Sequence, residues 1–165
     1  MGEVFQGRDG MNATCLITCK LTEVSAGANT VLKYGSPDHF REASLLWEKL
    51  WEAILSYNHL STEDILIYEG CQFLYNCHTA QHNDWHDPPK SYVVMADFGS
   101  FHGGYFCFPT LGLRVRMGLG DVIALHGQVV LHEVEQWDGG QRISIPHFMH
   151  SSMWRCMLMD SIFTH

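Results

Sequence analysis

Residues 129–148 read Val129-Val130-Leu131-His132-Glu133-Val134-Glu135-Gln136-Trp137-Asp138-Gly139-Gly140-Gln141-Arg142-Ile143-Ser144-Ile145-Pro146-His147-Phe148. Two runs rich in β-branched residues, 129–136 and 142–148, flank an Asp-Gly-Gly break, which is the chemistry of strand, turn and strand. The rhythm extends upstream through Ile65–Tyr68, Gln72–Asn76, Tyr92–Ala96, Gly104–Phe108, Leu113–Met117 and Asp121–Leu125. Between them stand Asp87-Pro88-Pro89, Phe101-His102-Gly103-Gly104, Pro109-Thr110-Leu111-Gly112 and Gly118-Leu119-Gly120-Asp121, all turn chemistry. Eight candidate strands at intervals of roughly 8 to 12 residues predict an all-β sandwich or barrel. A jelly roll wraps two such sheets around one interior and limits exposed edges.

Ahead of residue 60 the pattern changes. Ser36-Pro37-Asp38 offers an N-cap, a proline at the first helical position and an acid near the positive end of the dipole. Phe40, Ala43, Trp47, Leu50, Trp51 and Ile54 follow at helical spacing, so an amphipathic helix is predicted over about 37–57. Thr14–Thr22 and Asn29–Tyr34 read as short strands. The expected architecture is mainly β: a jelly roll with one long N-terminal helix packed outside the sheet. It would form a single domain, 1–165, with helical support over 1–60, the jelly-roll core over 61–150 and a tail over 151–165.

Composition agrees with a folded chain and removes several function classes. Of 165 residues, 46% are apolar and only 17% charged, far from a disordered composition. Ten basic residues against 18 acidic ones leave a net charge of −8, so the whole-domain basic footprint of a phosphate-backbone binder is missing. No stretch approaches the roughly 20 apolar residues that span a bilayer, so no membrane role is expected. The six cysteines form no Cys-x-x-Cys pair, and Met1–Gly10 lacks the apolar run of a signal peptide. The expected setting is intracellular, with cytoplasm and nucleus equally open.

Histidine is the unusual residue, with 11 copies, eight of them from His78 to His150. His82 and Asp84, two apart on an extended segment, project to one side, where an imidazole and a carboxylate can meet one cation. His132 sits among aliphatic neighbours where an unpaired imidazole would be costly. Two histidines and a carboxylate with open positions make the facial arrangement of non-haem Fe(II) oxygenases, and zinc accepts the same ligands. Ten residues after His132, Arg142 and Ser144 share one strand face, with Ile143 and Ile145 on the other. A guanidinium fork beside a hydroxyl suits a bound carboxylate.

In order and spacing, His82-x-Asp84, His132 and Arg142-x-Ser144, with Phe101-His102-Gly103-Gly104 and Gly120-Asp121-Val122-Ile123 between them, resemble the Fe(II)- and 2-oxoglutarate-dependent dioxygenases of the double-stranded β-helix fold. The segment Phe98–Pro109 resembles fungal dioxygenase-like proteins of the TET and J-binding-protein group. The likeness covers about residues 70–150. It implies that His82, Asp84 and His132 bind Fe(II), that Arg142 and Ser144 bind the far carboxylate of 2-oxoglutarate, and that Asn76 lies near this cosubstrate. The implied reaction decarboxylates 2-oxoglutarate to succinate and carbon dioxide while a substrate is hydroxylated or oxidised.

The substrate is not legible, although the kinship keeps a modified nucleobase in view. Two other readings stay open, a catalytically silent ligand-binding jelly roll and a zinc-binding cupin-like domain. Asp87 is expected to support the metal loop through hydrogen bonds, and Trp137 with Asp138-Gly139-Gly140 to serve a strand connection. Arg142→Ala is expected to weaken cosubstrate binding far more than folding.

Overall fold

Turn residues delimit the strands of the chain's second half, and helical spacing organises what precedes them. The computed structural model describes residues 22–53, 67–68 and 70–160, and the chain divides into two compact units, Met1–Ile67 and Tyr68–His165.

In the first unit, helix α1 (Thr22–Gly35) is followed by α2 (Pro37–Ala53). The candidate strand Asn29–Tyr34 is therefore helical, and the described part of this unit holds two helices where one was expected. The reason lies just upstream: Ser25, Ala28 and Leu32 recur at helical spacing and are the buried residues of α1. Glu23 in its first turn and Lys33 in its last suit the helix dipole. Helix α2 begins at Pro37, as its cap signals predict, with Arg41 paired to Asp38 at 2.8 Å. His39, Ala43, Leu46 and Leu50 are its buried face, while Phe40 and Trp47 are half-buried. Residues 14–21 and 54–57 of the sequence expectations lie outside the described residues.

The second unit is built of short strands: β1 (Gly70–Cys71), β2 (Leu74–Tyr75), β3 (Val93–Gly99), β4 (His102–Gly103), β5 (Phe106–Phe108), β6 (Leu113–Val115), β7 (Val122–Leu125), β8 (Glu133–Val134), β9 (Trp137–Asp138) and β10 (Arg142–Phe148). Helix α3 (Ser151–Asp160) follows, inside the stretch expected to be a tail. One sheet runs β1-β10-β3-β7, with β2 also paired to β10, and a second runs β6-β5-β8. Met95 and Leu125 from the first sheet pack with Phe106, Phe108 and Val134 from the second, and Met117 completes this cluster. The fold is mainly β, two sheets around one apolar interior, as in a double-stranded β-helix.

Strand β10 is the axis of the larger sheet. It pairs antiparallel with β3 from Arg142↔Gly99 to His147↔Val94, and with β2 through Ser144↔Leu74. At the end of that ladder Gly99 (φ +113°) and Gly140 (φ +77°) press against the Gln141 and Ser100 carbonyls, where a Cβ would not fit. The turn segments hold a surprise: His102–Gly103 pairs with Trp137–Asp138 as a two-stranded ribbon. Conversely, the 129–136 run shortens to Glu133–Val134, because the backbone N–H groups of Val129 and Val130 both donate to the His126 carbonyl in a turn. Ile67 and Tyr68 are not in a strand. Among the described residues no helix is long and apolar enough to cross a membrane.

Candidate metal and cosubstrate site

The sequence separates His82 from His132 by fifty positions, and the backbone closes that gap with an isolated antiparallel bridge. The His82 N–H donates to the His132 carbonyl at 2.9 Å and the reverse bond measures 3.0 Å. Residues directly opposite across such a bridge carry their side chains on the same side. The two imidazole centroids accordingly lie 4.3 Å apart. Asp84 is tied in from the same loop, its N–H donating to the Gly127 carbonyl at 2.9 Å.

The ring orientation decides the chemistry. His82 Nδ1 lies 2.9 Å from the Ala80 carbonyl and His132 Nδ1 lies 2.8 Å from that of Val130. A carbonyl only accepts, so Nδ1 carries a proton in each ring, and the neutral form of either ring has its lone pair on Nε2. Both turn toward Asp84: His82 Nε2 is 3.4 Å from Oδ1 and His132 Nε2 is 3.7 Å from Oδ2. With both rings neutral, two nitrogen lone pairs and a carboxylate converge, and one shared cation would offset their mutual repulsion. One ligand atom from each residue lies within 4.8 Å of the others. Burial pushes the His132 imidazole below its ordinary range, against the opposing pull of the Val130 carbonyl and Asp84, so the neutral, ligating form is favoured. This donor set fits a divalent ion, and backbone carbonyls orient its histidines in the way metal sites use.

The three side chains open into a cavity of about 420 Å³ that Arg142 and Ser144 also line. Their strand register explains the placement, since Ser144 stands opposite Asp97 and Arg142 opposite Gly99. The Arg142 Nη2 donates to Asp97 Oδ2 at 2.6 Å, and the Ser144 hydroxyl donates to Asp97 Oδ1 at 2.6 Å. All three residues are sealed from solvent, Asp97 completely. Arg142 Nε is also buried and has no hydrogen-bond partner, which marks it as an unsatisfied charged donor. The guanidinium carbon stands 5.6 Å from the ring centroids of both Phe101 and Trp137, within cation–π range. Trp137 therefore does more than connect strands.

Asn76 meets the Arg142 backbone, not the cavity lining. It is solvent-exposed and outside the residues that line the cavity. Its Oδ1 accepts from the Arg142 N–H at 2.8 Å, and its own N–H donates to the Arg142 carbonyl at 2.8 Å. The carboxamide clamps the backbone of Arg142 and does not reach toward the cavity. Its positive φ of 50° is one that asparagine tolerates.

Asp87 is buried, lines the cavity, and donates its N–H to the Asp84 carbonyl at 3.0 Å, so it helps shape the metal loop. His86 stacks on His150 at 5.4 Å, and both also line the cavity. Asp97 and Gly127 were not singled out by spacing, and Phe101 was noted only within Phe101-His102-Gly103-Gly104. A Cβ on Gly127 would overlap Asp84 Oδ2, so only glycine leaves that carboxylate its place.

Comparison with known proteins gives this arrangement a family. Residues 5–151 match the Tet_JBP family, described as the oxygenase domain of the 2OGFeDO superfamily. The chain belongs to this family. Among solved structures it resembles NgTET1 in complex with 5mC DNA, at a TM-score of 0.65 and 18% identity, over 91% of this chain and 54% of that one. The chain thus spans about half the length of that protein, and the likeness is one of fold. No curated protein is significantly similar to the chain.

Proposed function

We propose that the chain is an Fe(II)- and 2-oxoglutarate-dependent oxygenase, working as one dioxygenase-like domain over residues 1–165. The observation that carries this reading is the convergence of two Nε2 lone pairs and the Asp84 carboxylate, each histidine locked by its Nδ1 hydrogen bond. His82, Asp84 and His132 would hold the metal. Arg142 would hold the far carboxylate of 2-oxoglutarate through its spare Nε, with Ser144 beside it and Asn76 fixing the backbone that carries the guanidinium. When bound, iron and 2-oxoglutarate supply the oxidation: dioxygen is consumed, 2-oxoglutarate becomes succinate and carbon dioxide, and one oxygen atom passes to the substrate. The chain's part is orientation. The aromatic rings of Phe101 and Trp137 shield the guanidinium from water, and the sealed Asp97–Arg142–Ser144 cluster gives the cavity floor a fixed geometry.

For the substrate we propose a modified nucleobase. The relative whose fold this chain shares was solved with 5mC DNA. Trp85, 73% exposed, lies among the residues lining the cavity, where a base drawn out of a duplex could stack. The net charge of −8 works against tight backbone binding, so affinity for long DNA should be weak, with a shallow salt dependence because few phosphates are neutralised. The test is succinate formation from 2-oxoglutarate under Fe(II), measured alone and with oligonucleotides carrying 5-methylcytosine or unmodified cytosine. Iron-dependent succinate that rises with the methylated oligonucleotide supports both parts. Succinate without any base dependence would retain the oxygenase and remove the nucleobase. A protein that purifies with zinc and makes no succinate would favour the cupin-like alternative.

A further inference from the structure

We propose that Asp97 sets how tightly the far carboxylate of the cosubstrate is held, by occupying one guanidinium nitrogen of Arg142 and the only proton of Ser144 in advance. The inference rests on the reading of Arg142 given above.

The stoichiometry of donors carries it. A serine hydroxyl has one proton, and that of Ser144 goes to Asp97 Oδ1 at 2.6 Å. Ser144 therefore has no donor for a second carboxylate while Asp97 keeps its place. Arg142 gives Nη2 to Asp97 Oδ2 at 2.6 Å and retains Nε as a buried donor without a partner. An arriving carboxylate meets a reduced fork. It also meets a cluster whose formal charge is already cancelled, with a like charge beside it. Asp97 is fully buried and opposite Ser144 in the strand register, so it cannot swing to solvent when the carboxylate arrives.

The same contacts hold the guanidinium in one orientation when the cavity is empty, sparing a buried cation with no counter-charge. Asp97 acts through Arg142 and Ser144 and is a positioning residue: it secures their geometry while lowering the affinity that the unneutralised guanidinium would give.

The test is Asp97→Asn, which keeps the side chain's shape and removes its charge. Titration calorimetry with the redox-inactive ion Mn(II) would compare 2-oxoglutarate with pyruvate, which keeps the keto acid end and lacks the far carboxylate. The expected result is a dissociation constant for 2-oxoglutarate lower by about tenfold, the scale of one like charge removed from a partly buried anion site. Pyruvate binding should not change, although the melting temperature falls. A folded Asp97→Asn protein with unchanged or weaker 2-oxoglutarate binding, or with both ligands shifted equally, overturns the proposal. If the asparagine variant does not fold, Asp97→Ser, uncharged and still able to accept from Ser144, decides by the same comparison. Wild-type protein that fails to bind 2-oxoglutarate with Mn(II) sinks the cosubstrate reading itself, and the role of Asp97 with it.

Discussion

Gly127→Ala isolates the metal site from the fold. Gly127 is not among the positive-φ glycines, so alanine fits its backbone without strain. The added methyl is the whole perturbation. It would overlap Asp84 Oδ2, and it would stand 3.0 Å from Asp84 Cγ and 3.1 Å from a Val93 methyl. Val93 is buried within β3, whereas the Asp84 side chain is 29% exposed, so the carboxylate is the group that gives way. Restoring van der Waals contact needs a shift of about 1 Å. Metal–ligand distances tolerate only about 0.2 Å, so the third ligand is lost or badly tilted. The expected cost is a 10–100-fold fall in metal affinity, roughly the scale found when ligand-orienting groups are removed. Calorimetric titration with Mn(II), alongside a thermal melt, reads both halves. The variant should melt near wild type and bind the ion much more weakly. Wild-type affinity in a normally folded variant would mean that Asp84 does not hold the metal.

Other outcomes follow from the same contacts. His82→Ala or Asp84→Asn should abolish iron-dependent succinate formation while leaving the circular dichroism spectrum intact, since neither residue is buried; turnover in either would remove it from the site. Arg142→Ala strands the fully buried Asp97, so folding stability should also fall by about 3–5 kcal/mol in a urea melt. Arg142→Lys, which keeps the charge, should chiefly raise the KM for 2-oxoglutarate. Burial also pushes His147 down from 6.5 to about 4. The unfolded chain binds this proton first as pH falls, so the stability tied to neutral His147 is complete above about pH 6.5 and drains away toward pH 4. That loss amounts to about 3 kcal/mol, and His147→Gln should flatten the pH dependence of urea melts across this window.

How much was legible in the sequence follows the range of each signal. Strand β10 was readable to the residue because Arg142–Phe148 alternates and is bounded by Gly139-Gly140. His82, Asp84 and His132 were readable because ligand chemistry needs those side chains and local extension puts the first two on one side. Asp97 was invisible: it lies one residue past the apolar run Tyr92–Ala96, where an acid reads as the start of a solvated turn, and its partner Arg142 is 45 positions away. The ribbon of His102–Gly103 with Trp137–Asp138 was hidden by glycine-rich composition, since both segments carry turn chemistry and pair only in three dimensions. Asn29–Tyr34 misled because its valine and tyrosine suggested strand, while Ser25, Ala28 and Leu32 supplied the helical face.

The most direct measurement is an anaerobic titration of the purified, metal-free chain with Fe(II) and then 2-oxoglutarate, followed in the visible region. A charge-transfer band that needs both components, is lost in Asp84→Asn and needs more 2-oxoglutarate in Arg142→Lys is the predicted result. A wild-type protein that binds iron yet develops no band at any cosubstrate concentration would contradict the account.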